Sequence, residues 1–196
     1  VPAPRGEAAG PQGLGSRREI RLSGSGGQGL ILAATVLAEA LLASGTEVVQ
    51  TQSYGPEARG GASKAEIIVS DAEIDFPEVV SPDVTLCLSQ EAFDDCAAET
   101  RPGGVVIYDR GLVSPAELEG VELVGLPFTD LAEQKLGRVV VANILALGAL
   151  LTLTGLLPVE QLREALRRRL PERLLELNLK ALDLGVQAAE DLVAPS

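Results

Sequence analysis

The sequence predicts an α/β fold: three layers, with a mostly parallel, twisted sheet flanked by helices, a Rossmann-like start and a helical carboxyl-terminal third. Three observations predict it. Near the amino end an alternating, strand-like segment runs into a glycine-rich turn and then into a helix-forming stretch. Short apolar runs bounded by Gly, Pro, Ser and Asp follow through the middle of the chain, as strands of a layered sheet do. From about residue 142 the apolar spacing is helical to the end.

Taken in order, residues 1–16 are rich in Pro, Gly and Ala and lack the apolar stretch of a secretory signal. They read as a flexible tail ahead of one α/β domain spanning 17–196. Residues 18–22 alternate and form the first expected strand; 30–43 are helix-forming and end at Ser44 and Gly45. Strands are expected at 47–51, 65–69, 84–88, 104–108 and 121–124. Ser89 is the expected N-cap of a helix starting at Gln90. A brief helix is expected over 130–136, and further helices over the apolar run after Ala142, over 159–170 before Pro171, and over 173–192. In the last helix Leu175, Leu179, Leu182, Val186 and Ala189 recur at three- and four-residue intervals and mark its inward face.

Residues 139–157 carry no charge, which is long enough to raise the question of a membrane span. Asn143, Thr152, Thr154 and the opening valines argue instead for a buried helix, in the core or between subunits. The three arginines at 167–169 read as a solvated helix end.

Composition narrows the chemistry. The chain has 196 residues, 28 acidic against 16 basic, a net charge of −12. So negative a surface repels phosphate backbones, which excludes nucleic acid as an expected partner. There is no histidine, so the commonest general base and every Ser–His or Cys–His nucleophile pair are missing. The two cysteines, Cys87 and Cys96, cannot hold an iron–sulfur cluster or a structural zinc by themselves. Cys87 lies in an apolar run and reads as a small core hydrophobe. No catalytic residue and no metal ligand is expected in this chain, and a reducing, cytoplasmic setting fits the cysteine usage.

Two segments have the composition of a ligand or docking site. The first is Gly24, Ser25, Gly26, Gly27, Gln28 and Gly29, a G-x-G-x-x-G turn placed directly between strand and helix. Glycines there let backbone approach a ligand, and the helix start offers free N–H groups. Dinucleotide use is disfavoured, because the end of the next strand carries Gln50, Thr51 and Gln52 in place of the acidic residue that holds a ribose. A purely structural turn stays open as an alternative. The second segment runs from Gln52 through Ser53, Tyr54, Gly55, Pro56, Glu57 and Arg59 to Gly60 and Gly61. Arg59 offers a planar fork for carboxylate or phosphate. In an ordinary α/β sheet this loop lies just past the second strand, beside the glycine turn, although a plain hairpin-like connector is also compatible with it.

These two segments, with Ser63 and Lys64 to Asp71 after them and the later stretches 82–84, 88–92 and 141–148, resemble the gamma subunit of 2-oxoacid:ferredoxin oxidoreductases. The loop at 52–61 resembles the 2-oxoglutarate members most. The resemblance covers about residues 20–157. It implies a subunit of a cytoplasmic hetero-oligomer that oxidatively decarboxylates a 2-oxoacid to an acyl-CoA and passes electrons to ferredoxin. It also implies that thiamine diphosphate, Mg²⁺ and [4Fe–4S] clusters belong to larger partner chains, the thiamine-diphosphate-binding and ferredoxin-like ones. No Gly-Asp-Gly with a downstream Asn occurs here to hold the diphosphate and its metal. This chain, inactive alone, would hold no cofactor by itself and would help form a shared CoA site. Gly24, Ser25, Gly26, Gly27, Gln28, Gly29, Ser53, Tyr54, Gly55, Arg59, Gly60 and Gly61 would face the cofactor. Pro56, Glu57, Lys64 and Asn143 would lie at the interface, Asn143 also satisfying backbone groups at a buried helix start. The competing readings are a stand-alone nucleotide-binding or regulatory module and an interaction scaffold that binds no ligand.

Overall fold

The computed structural model describes residues 17–54 and 63–194. The expected tail at 1–16 lies outside the described residues, as do Gly55, Pro56, Glu57, Arg59, Gly60 and Gly61.

The element order among the described residues is β1 (Arg18–Gly24), α1 (Leu30–Ala43), β2 (Glu47–Tyr54), β3 (Ser63–Ser70), β4 (Val84–Cys87), α2 (Gln90–Cys96), β5 (Val105–Asp109), β6 (Glu122–Leu126), α3 (Phe128–Leu136), α4 (Ala142–Thr154), α5 (Val159–Arg169) and α6 (Glu172–Val193). The strands form one sheet in the order β2-β3-β1-β4-β5-β6. Only β3 runs against the others, pairing antiparallel with both β1 and β2, while β1, β4, β5 and β6 pair in parallel. The sheet is therefore mostly parallel, as expected. The first strand–helix–strand unit differs in one respect: β3 inserts between β1 and β2, so those two strands do not pair directly.

Alternation along each strand sorts side chains onto two unequal faces. Ile20, Leu22, Ala65, Ile67, Val69, Val84, Leu86 and Ile107 face the larger core, which α1, α3, α4, α5 and α6 complete. Cys87 and Val106 face a smaller core with Phe93 of α2 and Val113. Helix α4 is buried from Ala142 to Leu151, because it packs against α1, α3, α5 and α6 at once. That makes 141–151 a core segment, entered through a short 3-10 turn, Val139–Val141, whose first two valines are exposed. Among the described residues no helix is long and apolar enough to cross a membrane.

The inward face of α6 sits about one residue away from the expected leucine stripe. Asn178, Ala181, Leu182, Gly185 and Ala189 are buried, whereas Leu175, Leu179 and Val186 are half-buried. The cause is close helix packing: a Cβ on Gly185 would stand 1.9 Å from the Leu145 carbonyl oxygen, and one on Gly148 2.4 Å from that of Leu182. Small residues let α4 and α6 touch backbone to backbone, and the leucines flank the contact. The arginine run is exposed, with Arg169 bridging α5 to Glu39 of α1 at 2.9 Å.

Candidate functional site

The carboxyl ends of the parallel strands carry the glycine turn, the starts of α1, α2 and α3, and both ends of the 55–62 segment. Register makes this plain. Gly24 lies opposite Ser63, and Ser63 lies opposite Tyr54, so the last residue of β1, the first of β3 and the last of β2 stand abreast. The Ser63 hydroxyl donates to the Gly24 carbonyl at 3.2 Å, and the Ser23 hydroxyl donates to the Ser63 carbonyl at 3.4 Å. The segment carrying Arg59 therefore leaves and re-enters the sheet beside the glycine turn, joining two adjacent antiparallel strands.

Within the turn, Gly26 and Gly27 are exposed, while Ser25, Gln28 and Gly29 are partly buried. Gly27 and Gly29 take positive φ, +88° and +71°, which an L side chain adopts only with strain. Gly29 is the N-cap of α1 and supplies no side-chain cap. The Gln28 carboxamide folds back into the turn: its oxygen accepts from the Ser25 N–H at 2.7 Å, and its nitrogen donates to the Leu88 carbonyl at 2.8 Å. Leu88 directly follows β4, its N–H donating to the Ser23 carbonyl of β1, and the helices that follow β1 and β4 pack on opposite faces of the sheet. Gln28 thus bridges the crevice between β1 and β4, the place where open α/β sheets receive ligands.

Asn143, at the start of α4, is buried; its Nδ2 donates to the Gly29 carbonyl at 2.9 Å and its Oδ1 accepts from the Ile144 N–H at 2.7 Å. Just before it, Val139 and Val140 are exposed. Lys64 is half-exposed on β3, 3.9 Å from Glu66. Ser53 is exposed at the end of β2.

Two buried charged groups had no signal in the sequence reading. Asp109, at the end of β5, is fully buried and accepts from the Gly111 N–H at 3.0 Å and from the Thr129 N–H and hydroxyl at 2.8 and 2.6 Å. It closes the first turn of α3 from twenty positions upstream, a distance at which no local capping pattern exists. Arg21 is 2% exposed, on the smaller-core face, bonded to Glu66 at 2.7 Å and to Glu99. Burial opposes its charge, but the bonds to the two carboxylates outweigh that and hold its pKa above the ordinary value.

The cysteines do not build a metal site. Both are free and buried. Burial pushes the Cys87 thiol well above its ordinary range, reinforced by neighbouring Cys96 and only partly opposed by Arg21. Among the described residues no cluster of His, Cys, Asp and Glu fits a metal ion. The donor set therefore does not fit an iron–sulfur cluster or the metal of a thiamine diphosphate site.

Comparison with known proteins gives this geometry a family. Residues 19–188 match the family model described as pyruvate ferredoxin/flavodoxin oxidoreductase. The 2-oxoglutarate synthase subunit KorC of Methanocaldococcus jannaschii is 46% identical, over 90% of this chain and 96% of that protein. The keto/oxoacid ferredoxin oxidoreductase gamma subunit of Geobacter sulfurreducens superposes with a TM-score of 0.82 at 43% identity, covering 90% of this chain and 98% of the other. A 2-oxoglutarate:ferredoxin oxidoreductase from Magnetococcus marinus, with 2-oxoglutarate, coenzyme A and succinyl-CoA bound, superposes with the same TM-score at 27% identity, covering 92% of this chain and 32% of that longer one. The chain belongs to the pyruvate ferredoxin/flavodoxin oxidoreductase family, as a gamma-type subunit of a 2-oxoacid:ferredoxin oxidoreductase.

Proposed function

We propose that this subunit completes a CoA site at the carboxyl end of its sheet, within a cytoplasmic enzyme that converts 2-oxoglutarate or a close 2-oxoacid to its acyl-CoA and passes the electrons to ferredoxin. One observation carries the reading: Gly24, Ser63 and Tyr54 stand abreast, so the glycine turn and the Arg59 segment start from one edge. A net charge of −12 makes that edge unattractive to a phosphate unless a local cation offsets it; Arg21 is buried against Glu66 and Glu99, which leaves Lys64 and Arg59 as the cations close in sequence to the converging strand ends.

Thiamine diphosphate, Mg²⁺ and [4Fe–4S] clusters supply the decarboxylation and electron-transfer chemistry, and they sit in the larger partner subunits. This chain's part is to bind and orient. Gly26 and Gly27 offer backbone, Arg59 and Lys64 offer charge, and Val139 and Val140 offer an apolar surface to a partner chain beside the turn. Neither nucleic acid nor a membrane is a partner.

A second reading is favoured by Gln28. Its carboxamide already satisfies the Ser25 N–H, as expected if the turn only docks a partner and meets no ligand.

The test is co-expression with the larger subunits of such an enzyme, followed by CoA-dependent oxidation of 2-oxoglutarate with ferredoxin as acceptor. Arg59→Ala is expected to raise KM for CoA by about tenfold, the loss of one charge-assisted hydrogen bond, with assembly retained. Loss of assembly with unchanged CoA kinetics in the residual complex would favour the docking reading. A chain that recovers no partner and no CoA-dependent activity would refute both.

A further inference from the structure

We propose that Gln28 and Asn143 are positioning residues that hold the glycine turn from within, leaving Gly26 as the point where its backbone meets a bound molecule; for CoA as that molecule, the inference rests on the reading above. The three glycines of the G-x-G-x-x-G pattern turn out to have different reasons for being glycine. A Cβ on Gly24 would stand 2.3 Å from Oε1 of Gln28, so Gly24 makes room for that carboxamide. A Cβ on Gly29 would stand 2.5 Å from Nδ2 of Asn143, so Gly29 makes room for the other. In a dinucleotide fold the first glycine serves the tight turn and the last serves helix–strand packing. Here both also clear space for amide side chains, Gly29 besides holding a positive φ and Gly24 besides lying against Leu30 and Leu88.

Gly26 is different. No described atom lies within 4 Å of a Cβ built there, and its φ is outside the left-handed range. Nothing among the described residues requires a glycine at that position. A side chain there would project into open space among the described residues, and the exposure of Gly26 and Gly27 leaves their backbone open to a molecule approaching from outside.

The chemistry of the frame is specific to carboxamides. Gln28 uses both ends, accepting from the Ser25 N–H and donating to the Leu88 carbonyl. Glutamate would keep the acceptor but set a carboxylate against the Leu88 carbonyl oxygen; methionine would lose both bonds. Asn143 likewise donates to the Gly29 carbonyl while its oxygen takes the Ile144 N–H. Aspartate would reverse the polarity at Gly29. Both side chains are neutral, so the frame adds no charge to an edge that receives an anion. It also ties the turn to two separate elements, the end of β4 and the start of α4.

The experiment uses the assembled enzyme and two readouts: hydrogen exchange of the peptide spanning 24–30, and steady-state kinetics in CoA and in 2-oxoacid. In Gln28→Ala and Asn143→Ala, exchange is expected to rise in the 24–30 peptide and not across the core. KM for CoA is expected to rise about fivefold or more, with kcat and KM for the 2-oxoacid within about twofold. Gly26→Ala is expected to leave exchange and thermal stability unchanged while raising KM for CoA. Gln28→Met and Asn143→Ser, which add no charge against the Leu88 and Gly29 carbonyls, serve where the alanine forms do not fold, with the same localised rise expected. Exchange in the 24–30 peptide unchanged from the wild type would overturn the positioning role whatever the kinetics. Raised local exchange with unchanged CoA kinetics in every variant, Gly26→Ala included, would keep the positioning role and sink the CoA reading. A Gly26→Ala enzyme that loses thermal stability would overturn the assignment of Gly26 as a contact point.

Discussion

The hydroxyl of Ser63, the first residue of β3, donates to the carbonyl of Gly24, the last residue of β1, at 3.2 Å. It ties the exit of the 55–62 segment to the base of the glycine turn. Ser63→Ala deletes this bond and leaves the Gly24 carbonyl without it, at a cost of about 1 kcal/mol. Ser63→Thr keeps the hydroxyl and is expected to stay near the wild type. Denaturant unfolding of the two variants checks this, and an Ala form as stable as the wild type would show that the edge is held by strand pairing alone.

Gly185→Ala puts a methyl group 1.9 Å from the Leu145 carbonyl oxygen, a contact no rotamer relieves. Alanine's better helix propensity favours the variant by about 1 kcal/mol. Overpacking costs about 1–3 kcal/mol and more when backbone must move, as it must here, so a net loss of about 2 kcal/mol is expected. Gly148→Ala meets the Leu182 carbonyl at 2.4 Å and forces the same separation of α4 from α6. The double variant is therefore expected to lose less than the sum of the two, because one shift of the helices relieves both clashes. A thermal-unfolding cycle measures it; strict additivity would mean the two contacts yield independently.

Most of the architecture could be read from the chain because most of its signals are local. Helix α1 starts after Gly29 and stops at Ser44 and Gly45, and Ser89 caps α2 by accepting from the Ala92 N–H at 3.2 Å, as its place in the sequence implies. What could not be read depends on partners distant in sequence. The insertion of β3 between β1 and β2 reflects a hairpin choice that neither strand encodes alone. The apolar periodicity of α6 marks Leu182 and Ala189 correctly, whereas the closest approach to α4 is made at Gly185 and Gly148, and glycine carries no hydrophobic signal. The glycine turn was legible as a motif, but the amide frame behind it was not. Asn143 lies 114 positions from Gly29, and Gln28 turns inward to the Leu88 carbonyl, 60 positions away. In the alternating segment 18–22 Arg21 falls on the polar side, and the carboxylates of Glu66 and Glu99 explain its burial.

Arg21→Met removes a charge that two carboxylates surround and leaves Glu66, largely buried, without it. Breaking a buried pair from one side costs about 3–5 kcal/mol. Glu99 is half-exposed and returns to water, so Glu99→Gln is expected to cost about 1 kcal/mol or less. Replacing Arg21 and Glu66 together by Met and Leu is expected to recover most of the stability, since no orphan charge remains. Chemical denaturation of the three variants decides the matter, and a double variant as weak as Arg21→Met would mean that shape, not charge, keeps Arg21 in place.

Cys87 lends itself to a test by pH. Burial raises its thiol pKa in the folded chain, so it stays protonated where an unfolded thiol, with a pKa of about 8.5, already ionises. A group whose folded pKa lies above its unfolded value adds stability that is complete below the unfolded pKa and is lost as pH rises past it. The wild type is therefore expected to weaken steadily above about pH 8.5 from this residue. Cys87→Ala lacks that loss, though at neutral pH it is expected to be weaker by about 1 kcal/mol, the packing of one sulfur atom. The gap between the two proteins should narrow as pH is raised from about 7 to about 10, and a thiol reagent should leave Cys87 unmodified until the chain unfolds. A gap that stays constant over that range would show that the thiol titrates alike in both states and that water reaches it in the fold.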